Sequence, residues 1–228
     1  MVRLNVDLEN IGVVIPVFNA EKTIGALIED IIKQGTEPEN IIVVDDGSFD
    51  RTDEIVRCFG VTYVTHQKNL GKGAALKHGF EVAQAKHMNR VFTLDADGQH
   101  MVSEMGSFLK HKDDFDLIIG FRHNMKSMPT LRRLVNRTTS LVVSLLADSH
   151  LADVQCGFRL IDLAIFDRLI LRTNNYQTES EMVIRAARLK YRIGSMSITT
   201  VYDKEKSYIN PFVDTLRFLK MAVGFLWR

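Results

Sequence analysis

Hydrophobic positions along the first half of the chain alternate between two spacings. Ile11 to Val17 is an uncharged run rich in β-branched residues, the pattern of a strand buried on both faces. Glu21 to Gln34 then places Ile24, Leu27, Ile28, Ile31 and Ile32 at helical intervals and stops at Gly35. The same cycle repeats downstream. Strands are predicted at Ile41–Val44, Val61–Thr65, Val91–Leu94 and Leu117–Gly120, and helices at Arg51–Phe59, Gly73–Lys86 and Met101–Lys110. Strands alternating with helices at this spacing predict an α/β fold with a mainly parallel, Rossmann-like sheet flanked by helices. The second half is less regular. It reads as a loop at Phe121–Thr130, a helix at Leu131–Ala147 and a turn region around Asp153–Arg159. Helices follow near Leu163–Leu171 and Glu179–Leu189, and a last strand spans Ile193–Tyr202. No repeat or linker interrupts the chain, which predicts one domain over 1–210 and a helix over 211–228.

In such sheets, ligands bind beyond the carboxyl ends of the strands. Three polar clusters, Pro16–Asn19, Asp45–Ser48 and Asp95–His100, begin where predicted strands stop, so they face one rim. The strongest is LDADGQH, residues 94–100. Asp95 and Asp97 are two apart, which in extended chain points both carboxylates to one side. Two hard oxygen ligands with open positions suit Mg²⁺ or Mn²⁺ that also holds substrate phosphates. The competing reading is a solvated Asp turn.

In VVDDGSFDRT, Asp45 or Asp46 is placed to meet a base or ribose, while Ser48 or Asp50 caps the helix that follows. Lys72, between Gly71 and Gly73 at a helix start, is placed to meet a phosphate, or to be a solvated side chain at a glycine-softened helix entry. The chain has neither a P-loop nor a G-x-G-x-x-G pattern.

Composition narrows the classes. With 29 basic and 28 acidic residues the chain is nearly neutral, unlike a dedicated nucleic-acid binder. Cys58 and Cys156 form no CxxC pair, which argues against a disulfide framework or zinc site and fits a reducing compartment. The start, MVRLNVDLEN, has no signal-like apolar stretch, and no window reaches the roughly 20 apolar residues of a spanning helix. The expected location is cytoplasmic.

Taken in order, IPVFNAEKTI, VVDDGSFDRT, NLGKGAAL, LDADGQH, GFR and CGFR resemble a family 2 glycosyltransferase, over roughly residues 10–210. Within that family the chain is similar to the dolichyl- or polyprenyl-phosphate sugar synthases. The resemblance implies a GT-A fold, a GDP- or UDP-sugar donor, Mg²⁺ or Mn²⁺, and inversion at the anomeric carbon. It implies that Pro16, Phe18 and Asn19 line the base and ribose with Asp45 or Asp46, and that Asp95, Ala96 and Asp97 address the diphosphate and the metal. Gln99 would complete the metal site. One departure is visible: Ala20 follows Asn19 where many relatives carry Glu, and Glu21 comes one later.

The acceptor decides the remaining chemistry. A hydroxyl needs a general base within reach, whereas a phosphate is ionised at pH 7 and needs only cations. The resemblance places Arg122, Arg137 and Arg159 near the acceptor or diphosphate, and arginine forks match phosphate. Arg133 and Arg137, four apart, share a helix face. Glu179 and Glu181 lie where relatives with hydroxyl acceptors carry a catalytic acid, but both also suit the first turn of a helix. The reading is therefore sugar transfer to a polyprenyl phosphate, with a saccharide or envelope hydroxyl as the alternative acceptor. A nucleotidyltransferase would carry a glycine-rich basic loop after the first strand, which IPVFNAEKTI is not, and a non-catalytic sugar-nucleotide binder would have lost the intact DADGQ. Lys204, Lys206 and Ser207 read as a lid or as a solvated charge run. On the C-terminal helix, Asp214, Arg217 and Lys220 form one polar stripe on an apolar background, which suits a membrane interface, or packing on the domain or an oligomer partner.

Overall fold

The computed structural model describes residues 10–122, 130–149, 151–199 and 211–226. The proposed lid residues Lys204, Lys206 and Ser207 lie outside the described residues, as does the end of the last predicted strand.

Each strand predicted in the first half forms: β1 (Ile11–Val17), β2 (Ile41–Asp45), β3 (Thr62–Thr65), β4 (Arg90–Thr93) and β5 (Leu117–Arg122). Between them lie α1 (Ile24–Lys33), α2 (Thr52–Val56), α3 (Lys72–Ala85) and α4 (Met105–Leu109). Helix α5 (Thr130–Ala147), β6 (Arg159–Asp162), α6 (Gln177–Arg188), β7 (Ile193–Ile198) and α7 (Pro211–Leu226) complete the order. Two elements differ from the expectation. Arg159–Asp162 is a strand that starts at the last residue of the expected turn region and had no predicted element, and Leu163–Asp167 is a short 3-10 helix where a longer helix was expected. Four apolar-polar residues are too few to display a period, so only the partners of β6 reveal it.

The seven strands form one sheet in the order β3-β2-β1-β4-β6-β5-β7. β1 pairs in parallel with both β2 and β4, β2 with β3, and β5 with β7. Only β6 runs backwards, antiparallel to β4 and to β5. The central strand β1 is buried along nearly its whole length because helices cover both faces.

Two features of this topology position a site. The order reverses at β1, with β2 and β3 on one side and β4 on the other, and open α/β sheets bind ligands at the carboxyl ends of the strands at such a switch point. The reversed β6 starts at that same rim, with Arg159 in register with Thr93 and Ile119. The CGFR motif is thereby delivered beside LDADGQH from a distant part of the sequence.

Candidate active site

The wall beside β1 and β2 is built by polar backbone ties. Asn19 adopts a left-handed conformation (φ 52°), which lets the chain turn off β1 into α1. Its N–H donates to Ser48 Oγ (2.8 Å), and its Oδ1 accepts from the Phe49 N–H (3.0 Å). Its Nδ2 is buried and has no partner in the protein. Phe18 meets Phe49 edge to face at 5.9 Å, and Phe49 is 83% exposed. Pro16 sits within β1, in register with Val44. Asp50, rather than Ser48, ties the start of α2, accepting from the Thr52 N–H and hydroxyl and from the Glu21 N–H.

Asp45 and Asp46 are both buried at the end of β2. Asp45 accepts from the Ser48 N–H and the Tyr63 hydroxyl, each at 2.8 Å. Asp46 accepts from the Leu70 N–H (2.8 Å), the Gly71 N–H (2.7 Å) and His66 Nδ1 (2.7 Å). His66 in turn stacks on His78, with Nε2 3.1 Å from Nδ1. Both acids thus hold the pocket wall and the loop leading into α3 through protein donors. Gly71 sits in that loop at φ 101°, and a Cβ there would strike Asn174 O and the Asn175 side chain. Only glycine fits where this turn is pressed against the segment before α6.

Beyond β4 the acidic motif lies on the rim. Ala96 is buried and its carbonyl accepts from the Thr23 hydroxyl (2.5 Å), which ties the motif to α1. Asp97 accepts from the Gln99 N–H (3.0 Å), closing the turn at Gly98. Asp95 is engaged by Lys72, whose Nζ lies 2.6 Å from Asp95 Oδ1 and 2.9 Å from Glu179 Oε2. Lys72 is therefore the bridge between two carboxylates, not a solvated side chain. Burial alone would lower the Lys72 pKa, but Asp95 and Glu179 outweigh it and raise it. Burial would likewise raise the pKa of Asp95, but Lys72 holds it below the ordinary carboxylate range, with help from Arg159. Gly157 packs its backbone on the Asp95 carboxylate, where a Cβ would overlap it.

His100, which closes LDADGQH, is a residue for which the motif alone suggests no role. Burial pushes its imidazole down to about 4, with the positive charges of Arg122 and Lys72 adding to the effect against Asp95. It is neutral at pH 7, and its Nδ1 is buried without a partner. Sequence gave no signal for this, because burial set by Phe158, 5.7 Å away, is a tertiary property.

The remaining predicted residues separate. Arg122 forms a fork to the buried Asp153 (Nε to Oδ2 2.6 Å, Nη2 to Oδ1 3.0 Å), and Asn136 Nδ2 also donates to Asp153 (3.1 Å). Arg137 is exposed on α5. Arg159 was expected near the acceptor or the diphosphate, and it is 1% exposed. Its Nε donates to Cys156 O (2.9 Å), Nη1 to Glu179 O (3.1 Å) and Nη2 to Val154 O (2.7 Å). It is a clamp that holds CGFR against α6.

Glu181 also departs from the expectation of a catalytic role. It accepts from the Arg172 and Thr173 N–H groups, the Thr173 hydroxyl and Arg185 Nε (2.7 Å). Burial would raise its pKa, yet these donors hold it below the ordinary value of 4.5. Its contribution to stability is fully present above the unfolded-state value and is lost as pH falls through the lower folded-state value. Glu181→Gln is therefore expected to cost about 1–3 kcal/mol at pH 7. Urea unfolding should show that gap closing as the pH is taken below about 4. A gap unchanged in acid would contradict this role.

The matrix of parallel strands, the rim and the ordered motifs agree with what known proteins show. A model of glycosyl transferase family 2 matches residues 12–173. The chain belongs to that family. An uncharacterized protein of Methanocaldococcus jannaschii is 32% identical over 205 residues, covering 86% of this chain and 84% of that protein. The UDP-N-acetylglucosamine–dolichyl-phosphate N-acetylglucosaminyltransferase of Methanococcus voltae is 29% identical over 217 residues, covering 84% of this chain and 86% of its own. Among solved structures, glucosyl-3-phosphoglycerate synthase from Mycobacterium tuberculosis, in complex with Mn²⁺, UDP and phosphoglyceric acid, superposes with a TM-score of 0.70. That match is 18% identical and covers 95% of this chain and 76% of the other. The sheet and its flanking helices are thus those of a GT-A glycosyltransferase fold.

Proposed function

We propose that this glycosyltransferase moves a sugar from a nucleotide-diphospho-sugar to a polyprenyl phosphate, with inversion at the anomeric carbon. The observation that carries the choice of acceptor is the state of the two glutamates. Glu179 is tied to Lys72 and lies 3.5 Å from Arg159, and Glu181 is bound by four donors on the other side of α6. Neither is poised as a general base for a hydroxyl acceptor. An ionised lipid phosphate requires no base. The M. voltae relative, named for a dolichyl-phosphate acceptor, supports the same reading.

A divalent cation fits the donor set at the rim. Among the described residues no three His, Cys, Asp or Glu side chains form a complete cage. Asp95, Asp97 and Gln99 offer a few hard oxygens beside a crevice, which suits Mg²⁺ or Mn²⁺ taking its other ligands from phosphate and water. Bound there, the ion would neutralise charge on the leaving diphosphate. The protein's own part is positioning. Lys72 keeps Asp95 ionised and oriented, the Asn19–Ser48 and Asp46–Gly71 ties shape the nucleotide pocket, and the unpartnered Asn19 Nδ2 offers a donor to the base or ribose. The acceptor oxygen then attacks the anomeric carbon from the face opposite the diphosphate.

The direct test follows radiolabelled sugar from UDP- and GDP-sugars into undecaprenyl or dolichyl phosphate, with sugar hydroxyl acceptors in parallel. Transfer to hydroxyls alone would overturn the lipid assignment. With the lipid acceptor, Arg137→Ala is expected to raise the acceptor KM about tenfold and leave the donor KM within about twofold, as loss of one charge-assisted contact of roughly 1.5 kcal/mol predicts. Equal changes in both would remove Arg137 from the acceptor side.

A further inference from the structure

The chain as a whole is nearly neutral, but one cleft is not. A cavity of about 700 Å³ opens between α6, the 168–173 segment and α7. Arg168, Arg172, Arg185, Arg188, Arg217 and Lys220 line it, against the single carboxylate of Glu181. Glu181 is already matched by its own donors, and Arg217 is shared with Asp214 (3.1 Å) outside the cleft. A marked positive excess remains. The floor is apolar, formed by Leu169, Leu189, Met221 and Phe225. Arg185 and Arg188 lie over the Phe225 ring, 5.2 and 5.0 Å from its centroid, and Arg188 Nη2 donates to Phe225 O (2.7 Å). These contacts fasten α7 along the cleft.

The outer side of α7 is the second observation. Leu216 (69%), Leu219 (50%), Val223 (50%) and Leu226 (71%) are exposed and three or four residues apart, so they form one stripe. A run of exposed leucines on a folded domain marks an interaction surface. Basic residues flanking such a stripe are the arrangement of a helix lying in a bilayer interface. Among the described residues no helix is long and apolar enough to cross a membrane, so the stripe fits a surface and not a span.

We propose that α7 seats its leucine stripe in the interface of an anionic bilayer and that the α6–α7 cleft takes a lipid phosphate headgroup. Charge decides against a second copy of this chain as the occupant. A two-fold contact through this face would set one basic cleft against another. The proposal adds a membrane surface to the lipid-acceptor reading but does not depend on it, since vesicle binding needs no sugar donor.

The test is co-sedimentation of the whole chain with phosphatidylcholine vesicles, with and without phosphatidylglycerol. Binding is expected with the anionic vesicles and weak with the neutral ones, and should be released by about 0.5 M salt. Arg217→Glu with Lys220→Glu should lower partitioning by about thirtyfold or more. Leu216→Ser with Leu219→Ser should lower it at any charge. All four positions are exposed, so Tm should fall by no more than about 2–4 °C in either variant, the charge reversal losing the exposed Arg217–Asp214 pair. Donor-induced thermal stabilisation should stay at the wild-type value, which separates failure here from failure of the donor site. No binding to anionic vesicles, equal binding to neutral ones, or binding that survives charge reversal would overturn the proposal. So would stabilisation by inorganic phosphate without vesicle binding, or a dimer in solution that the serine variants dissolve.

Discussion

Asp97→Ala is expected to lower sugar transfer by at least about a thousandfold while leaving the fold intact. The residue sits half-buried on the rim after β4, where one carboxylate oxygen accepts from the Gln99 N–H. Losing a hydrogen bond of this kind costs about 0.5–1.5 kcal/mol, or a few degrees in Tm for a chain of this size. Losing the proposed ligand to an ion that would neutralise the diphosphate would cost the reaction several kcal/mol, and about 4 kcal/mol is a thousandfold in rate. The informative comparison is therefore between two readouts. Thermal unfolding should change little, whereas transfer, and the Mn²⁺-dependent part of stabilisation by nucleotide sugar, should vanish. Transfer near the wild-type rate would remove Asp97 from the metal site.

Arg159→Ala should do the reverse. The side chain donates to three backbone carbonyls and lies beside Glu179 with almost no exposure. Truncation strands those acceptors and leaves Glu179 with Lys72 alone. Removing one partner from a buried charged cluster costs about 3–5 kcal/mol, which corresponds to a fall in Tm of about 10 °C. Arg159→Lys should recover little, because a single ammonium cannot span three separated carbonyls. If Arg159 instead served the acceptor directly, Tm would hold and only the acceptor KM would rise.

Asp97 and Arg159 both belong to motifs expected to meet the reacting groups, and the contrast between them comes from where the chain carries each one. The uncharged runs at β1, β2, β4 and β5 were legible because a strand covered on both faces has no polar positions to accommodate. Their ends were legible too, since the polar clusters at Asn19, Asp45–Asp46 and Asp95–Asp97 break those runs abruptly. That placed three clusters on one rim without any coordinates.

Sequence alone therefore determined the α/β alternation, the rim and the acidic motif on it, because each depends on periodicity or on neighbours a few residues away. Tertiary structure decided the rest. It turned β6 backwards so that Gly157 and Arg159 meet Asp95, and it brought Lys72 between Asp95 and Glu179, more than 100 positions apart in the case of the second pair. It also sent Glu179 and Glu181 to opposite sides of α6, since residues two apart on a helix diverge by about 200°. Ion pairs, burial and the neutral state of His100 are properties of distance through space, and no local pattern along the chain encodes them.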